Sequence, residues 1–140
     1  MSLERYISAQ KNSYENALGE IKSGKKRSHW MWYIFPQIKG LGFSEMSRFY
    51  GIDDLKEAKA YLGHSLLGKR LREISNALLD LQSNDAHGIF GSPDDMKLHS
   101  SMTLFAAAEA NNGNVFEQVL LKFFNSEKDK ATTDRLNSSN

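Results

Sequence analysis

Two stretches of the sequence hold side chains whose types and spacing suit chemistry. In the run Asp94–Phe105, at 100° per residue, Asp94, Lys97 and Ser101 form a polar stripe beside an apolar stripe of Leu98, Met102 and Phe105. A lysine and a serine at i and i+4 can present an ammonium and a hydroxyl to one bound anion. Asp94, a turn earlier, would orient the lysine, and Ser100 lies on the far side of the stripe. The same spacing also describes an ordinary surface ion pair with serines beside it, which is common and weak.

The second stretch is Lys25–Phe43, KKRSHWMWYIFPQIKGLGF, with Trp30, Trp32, Tyr33 and Phe35 inside six residues. Indole faces stack on a base or a sugar. Histidine is the side chain best suited to acid–base work near neutral pH, which makes His29 the candidate catalytic group. Lys25, Lys26 and Arg27 come immediately before the rings and would suit a phosphorylated ligand. Against this stands the commoner use of such residues: aromatic clusters fill cores, and cations sit at the negative end of a helix.

Other site chemistry is missing. The absence of cysteine excludes a disulfide scaffold, a thiolate nucleophile and a cysteine zinc site. There is no phosphate-cradling glycine loop, no dinucleotide fingerprint and no HExxH pair. His29, His64, His87 and His99 are scattered without ligand spacing, so neither a metal nor a cofactor is expected. A net charge of +1 over 140 residues is a small electrostatic footprint and argues against a nucleic-acid partner. The uncharged run Ser28–Ile38 is too short to span a bilayer, and Pro36 interrupts it. Charges from Glu4 and Arg5 onward do not read as a secretory leader, so the expected location is the cytoplasm.

Helices must position these side chains. The chain has 16 Leu and 11 Ala against 2 Val, 7 Ile and 3 Thr, and residues of the first kind lose little on entering a helix. Apolar residues from Leu3 to Ile21 keep helical spacing, broken only by Gln10, with Ser2 as the cap and Gly24 as the stop. Pro36 pushes Phe35 toward an extended conformation, so any short helix through the tryptophans ends there. Ser44 opens a short helix, Asp53 caps the next, and Ser65 starts a longer one whose seam is Leu67, Leu71, Ile74, Leu78 and Leu81. After a turn-rich patch from Ser83 to Gly91, Ser92-Pro93-Asp94-Asp95 starts a helix running to about Asn111. Asn114 and Glu117 have capping-box spacing ahead of Phe116, Val119, Leu120 and Phe123. The fold class is all-α: a single compact multihelical domain of about six or seven helices over residues 1–125, with 126–140 a weak last helix or disordered tail.

The strings SHWMWYIFPQIKGLG at Ser28–Gly42, IFG at Ile89–Gly91 and KLHSSMTLF at Lys97–Phe105 resemble the family known as the domain of unknown function numbered 1810. Some bacterial members of that family carry the label calpastatin. EAKAYL at Glu57–Leu62, LGKRL at Leu67–Leu71 and VFEQVL at Val115–Leu120 extend the resemblance over nearly the whole chain. The resemblance implies a compact multihelical fold and no established activity. The label does not fit, because inhibitors of that name are long and disordered, whereas this composition folds. The family ending Asp-xx-Thr-Leu is matched at Asp129 and Thr132, but Thr133 takes the leucine place.

The polar and amphipathic members of the matched strings are His29, Trp30, Trp32, Gln37, Lys97, Ser100 and Ser101. Together with the spacing arguments, they lead to the expectation of a pocket for a small anionic or nucleotide-like metabolite. Its walls would be the tryptophan segment and the first turns of the helix begun at Pro93. The alternative is a protein-interaction module without catalytic activity, which would expose the aromatic segment to solvent.

Overall fold

The first expected helix divides at Gln10, whose side chain turns inward instead of lying along the surface. Its amide donates to Tyr33 O at 2.9 Å and to the Tyr61 hydroxyl at 3.0 Å. The computed structural model describes residues 3–138, so Ser2 lies outside the described residues. It contains α1 (Glu4–Gln10), α2 (Tyr14–Lys22), α3 (Met31–Ile34), α4 (Glu45–Phe49) and α5 (Leu55–Gly63). These are followed by α6 (Leu67–Leu79), α7 (Ala86–Phe90), α8 (Asp94–Ala108), α9 (Val115–Phe124) and α10 (Lys130–Ser138).

The fold is all-α, with ten helices among the described residues where the sequence suggests six or seven. The surplus comes from the division at Gln10 and from single-turn elements such as α3 and α7, which are too short to display a 3.6-residue period.

Helix ends follow side-chain chemistry. Ser44 caps α4, accepting from Ser47 N at 3.1 Å. The cap of α5 is Asp54, not Asp53: Asp54 Oδ1 accepts from Glu57 N at 2.9 Å, while Glu57 Oε1 accepts from Asp53 N at 2.8 Å. His64 Nδ1, rather than Ser65, takes the first free amides of α6, Leu66 N and Leu67 N. Both bonds of the Asn114–Glu117 capping box form. Ser92 makes no cap for α8, which begins without a side-chain cap and ends at Ala108, three residues short of the expected Asn111.

Helix α8 is the structural axis. It packs on α5, α7, α9 and α10, burying Leu98, Met102, Leu104 and Phe105 completely. The α6 seam of Leu67, Leu71, Ile74 and Leu78 is equally dry and meets α2, α5 and α9. Each such side chain contributes about 1.5–3 kcal/mol on burial, which is how a chain without disulfides holds one core. A parallel bridge between Ile38 and Ile52 closes the neck of the segment carrying α4, with Lys39 N donating to Ile52 O and Ile52 N to Gln37 O, both at 2.8 Å. α10 lies against α8, its cap Asp129 accepting from Thr132 N at 3.1 Å.

Among the described residues, no helix is long and apolar enough to cross a membrane, and no group of three His, Cys, Asp or Glu could hold a metal ion.

Candidate functional site

The tryptophan segment and the start of α8 meet through two lysines and one aspartate. Lys97 Nζ lies 4.9 Å from the centre of the Trp32 ring, and Lys26 Nζ lies 4.9 Å from that of Trp30. Asp94 stands between them, with Oδ2 at 2.9 Å from Lys26 and Oδ1 at 3.5 Å from Lys97. A cation over an indole face is worth about 0.5–2 kcal/mol, depending on how dry it is.

The first half of the segment is fastened from below by Glu20. Its carboxylate accepts from Arg27 N (2.6 Å), Ser28 N (3.0 Å), Ser28 Oγ (2.6 Å) and Trp30 Nε1 (3.0 Å). Partial burial pushes the Glu20 pKa up, but donation by the Ser28 hydroxyl, the Arg27 amide, the Trp30 indole and the Ser28 amide outweighs it, and the group lies at about 2. Trp30 is only 1% exposed. Lys25 donates to Gly88 O and Lys26 to Ser28 O, so two of the three cations before the rings hold backbone carbonyls. Trp30 is therefore a core residue with its one donor satisfied, and of the basic run Lys26 is sheltered while Lys25 and Arg27 are exposed. His29 is exposed on this closed side.

The second half is different. A cleft of about 260 Å³ opens between it, α8 and α10. Its lining includes Gln37, Leu41 and Gly42 from the loop, Ser47 from α4, Pro93, Met96, Lys97 and Ser100 from the start of α8, and Asp129 and Ala131 at α10. Trp32 walls the adjoining hollow, which shares Gln37, Gly42 and Ser47 with the cleft. Of the residues singled out in the sequence, Gln37, Lys97 and Ser100 line the cleft, and Trp32 sits beside it, tied to Lys97. Trp30, His29 and Ser101 are not among the lining residues. Ser101 is fully buried, and its hydroxyl has no hydrogen-bond partner.

Polar capacity in the cleft is unevenly used. Ser100 Oγ donates to Asp129 Oδ2 at 3.0 Å, and that oxygen also accepts from Thr132 N and Thr132 Oγ1. Lys97, by contrast, has its side chain 20% exposed, and among the described residues its one near acceptor is 3.5 Å away, beyond the roughly 2.7–2.9 Å of a charge-assisted bond. Gln37 takes part in the bridge through its backbone, and among the described residues no hydrogen bond forms at its side-chain amide. The cleft thus offers an ammonium and an amide with free capacity, two hydroxyls and one carboxylate.

Asp129, Ser47 and Met96 are lining residues that sequence spacing does not single out. Asp129-x-x-Thr132 is an N-cap signature, and recognising it as a helix start would have placed a carboxylate near α8. Ser47 and Met96 carry no such signal.

These features define a class: a single helical domain with an open, mixed-polarity cleft between a loop and two helix starts. More specifically, the chain belongs to the family described as "Protein of unknown function (DUF1810)", which it matches over residues 1–136. It is similar to the conserved hypothetical protein Rv1873 from Mycobacterium tuberculosis, with 44% identity and a TM-score of 0.93 over 96% of each chain in the crystal structure. No curated protein matches it.

Proposed function

We propose that the cleft binds a small anionic or nucleotide-like metabolite through Lys97. The observation that carries this reading is the Lys97 ammonium itself: it is half-sheltered on the cleft wall, held over Trp32, and without an acceptor at charge-assisted distance. Asp94 is engaged more closely by Lys26, which leaves the donors of Lys97 available to a ligand. Gln37 adds directional hydrogen bonds from the same lining, and the Ser100 hydroxyl, whose proton goes to Asp129, can accept from a ligand hydroxyl. No residue in the cleft is assigned a catalytic role; His29 remains the candidate acid–base group only if a ligand extends to the exposed side of the segment.

The test is a thermal-shift screen against inorganic phosphate, pyrophosphate, sugar phosphates and nucleotides, repeated on Lys97→Ala. A hydrogen bond to a charged group is worth about 1.5–3 kcal/mol, so the variant should bind any hit at least ~10-fold more weakly. Hits of equal strength in both proteins reject the reading.

A second reading, a protein-interaction surface, is favoured by exposed apolar side chains on the loop and beside it: Phe43 at 83%, Phe49 at 52% and Met96 at 66%. It expects a hydrophobic dye to bind the native protein and to be lost when Phe43 and Phe49 are replaced by serine.

A further inference from the structure

We infer that the ligand of this cleft is a phosphorylated sugar, free or as the ribose phosphate of a nucleotide, with its phosphate on Lys97 and two neighbouring hydroxyls on Asp129. The inference rests on the reading above and narrows it.

Asp129 sets the restriction. A carboxylate in the lining opposes a simple anion, because the cation that attracts the anion and the group that repels it share one cleft. A ligand with an anionic end and a hydroxylated end satisfies both. Asp129 is also built to receive donors. Its Oδ2 accepts from the Ser100 hydroxyl, Thr132 N and the Thr132 hydroxyl, at 3.0, 3.1 and 2.6 Å, while its backbone N–H donates to Thr103 Oγ1 at 2.9 Å. Those bonds fix the carboxylate between α8 and α10. Among the described residues no donor reaches Oδ1, which keeps its lone pairs for a ligand. Ser100 couples the two ends, since it lies one helical turn from Lys97 and donates to Asp129.

Size points the same way. About 260 Å³ is below the roughly 300–1,000 Å³ of clefts that take drug-sized ligands, and it suits a five- or six-carbon sugar phosphate better than a dinucleotide. Gln37, with its amide unengaged, lies on the loop wall, where it can meet further ring hydroxyls or the edge of a base.

The test compares ligands on the wild-type protein by isothermal titration calorimetry: ribose 5-phosphate against 2-deoxyribose 5-phosphate, AMP against 2′-deoxy-AMP, and inorganic phosphate alone. Removing one hydroxyl that bonds a carboxylate should weaken binding ~10-fold or more, and inorganic phosphate should bind more weakly still. Whichever hydroxylated ligand binds identifies the source, free sugar or nucleotide. Asp129→Asn keeps a good helix cap, so α10 should stay in place while the difference between ribose and deoxyribose disappears. Equal affinity for each ribose and deoxyribose pair overturns the inference and leaves the Lys97 reading standing. Absence of any binding that depends on Lys97 overturns both.

Discussion

Trp30 and Trp32 stand two residues apart, and each lies under a lysine at the same 4.9 Å, yet the surroundings give the two pairs opposite uses. At Trp30 the pair is closed. The ring is buried, its N–H is taken by Glu20, and Lys26 is 7% exposed and held by Asp94 at 2.9 Å. At Trp32 the pair is open. Lys97 is 20% exposed, Asp94 is 3.5 Å away, and a cleft begins at its head group. One contact type therefore holds the fold together on one side of Asp94 and leaves capacity for a ligand on the other. What decides the difference is whether the lysine's remaining donors are already occupied.

Stability measurements can break this contrast. Trp30→Ala should cost about 3–5 kcal/mol in urea unfolding, the usual loss for a buried aromatic. Trp32→Ala, at a half-buried site, should cost under about 2 kcal/mol. Equal costs would mean that both rings belong to the core. The lysines should separate in the same way. Lys26→Met leaves Asp94 without its close partner and should cost about 2 kcal/mol, whereas Lys97→Met should change stability by less than about 1 kcal/mol.

Glu20 sharpens the closed side through pH. Its carboxyl lies at about 2 in the folded protein, below the ordinary value of 4.5. A depressed carboxyl stabilises the fold above its unfolded pKa, and that stability is lost as pH falls through the folded value. The midpoint of unfolding should therefore fall between about pH 4.5 and 2, and Glu20→Gln should lower it at neutral pH and flatten that part of the curve. An unchanged acid limb in the variant would show that Glu20 does not fasten the segment.

The smallest effect is expected at Ser101. Its buried hydroxyl has no partner, so Ser101→Ala should leave stability unchanged or raise it by up to ~1 kcal/mol, with ligand binding intact. Weakened binding would place Ser101 in the open side after all.

Much of this fold is legible in the sequence. Periodicity showed the α6 seam and α8, and cap chemistry showed the start of α9, because long helices and reciprocal caps leave local signatures. Two strings rich in uncommon residues mark the tryptophan segment and the start of α8, and they leave open which tryptophan meets Lys97. Spacing could not tell Trp30 from Trp32. They lie two residues apart, and only the long-range partner Glu20 and the packing around α8 separate them. In the sequence Gln10 interrupts a helical stripe; in the fold its amide joins Tyr33 and Tyr61 across the core. Asp129 was hidden for a similar reason: its place opposite Lys97 depends on how α10 folds back onto α8, a distance of 32 positions along the chain that no local pattern encodes.

The most direct test uses the two indole N–H resonances as separate reporters in a nitrogen–proton correlation spectrum titrated with ribose 5-phosphate. The account predicts a saturable displacement of the Trp32 signal, loss of that displacement in Lys97→Ala, and a Trp30 signal that stays in place in both proteins. A Trp32 signal that does not move at millimolar ligand, or moves equally in Lys97→Ala, would contradict the claim that Lys97 and its cleft form a binding site.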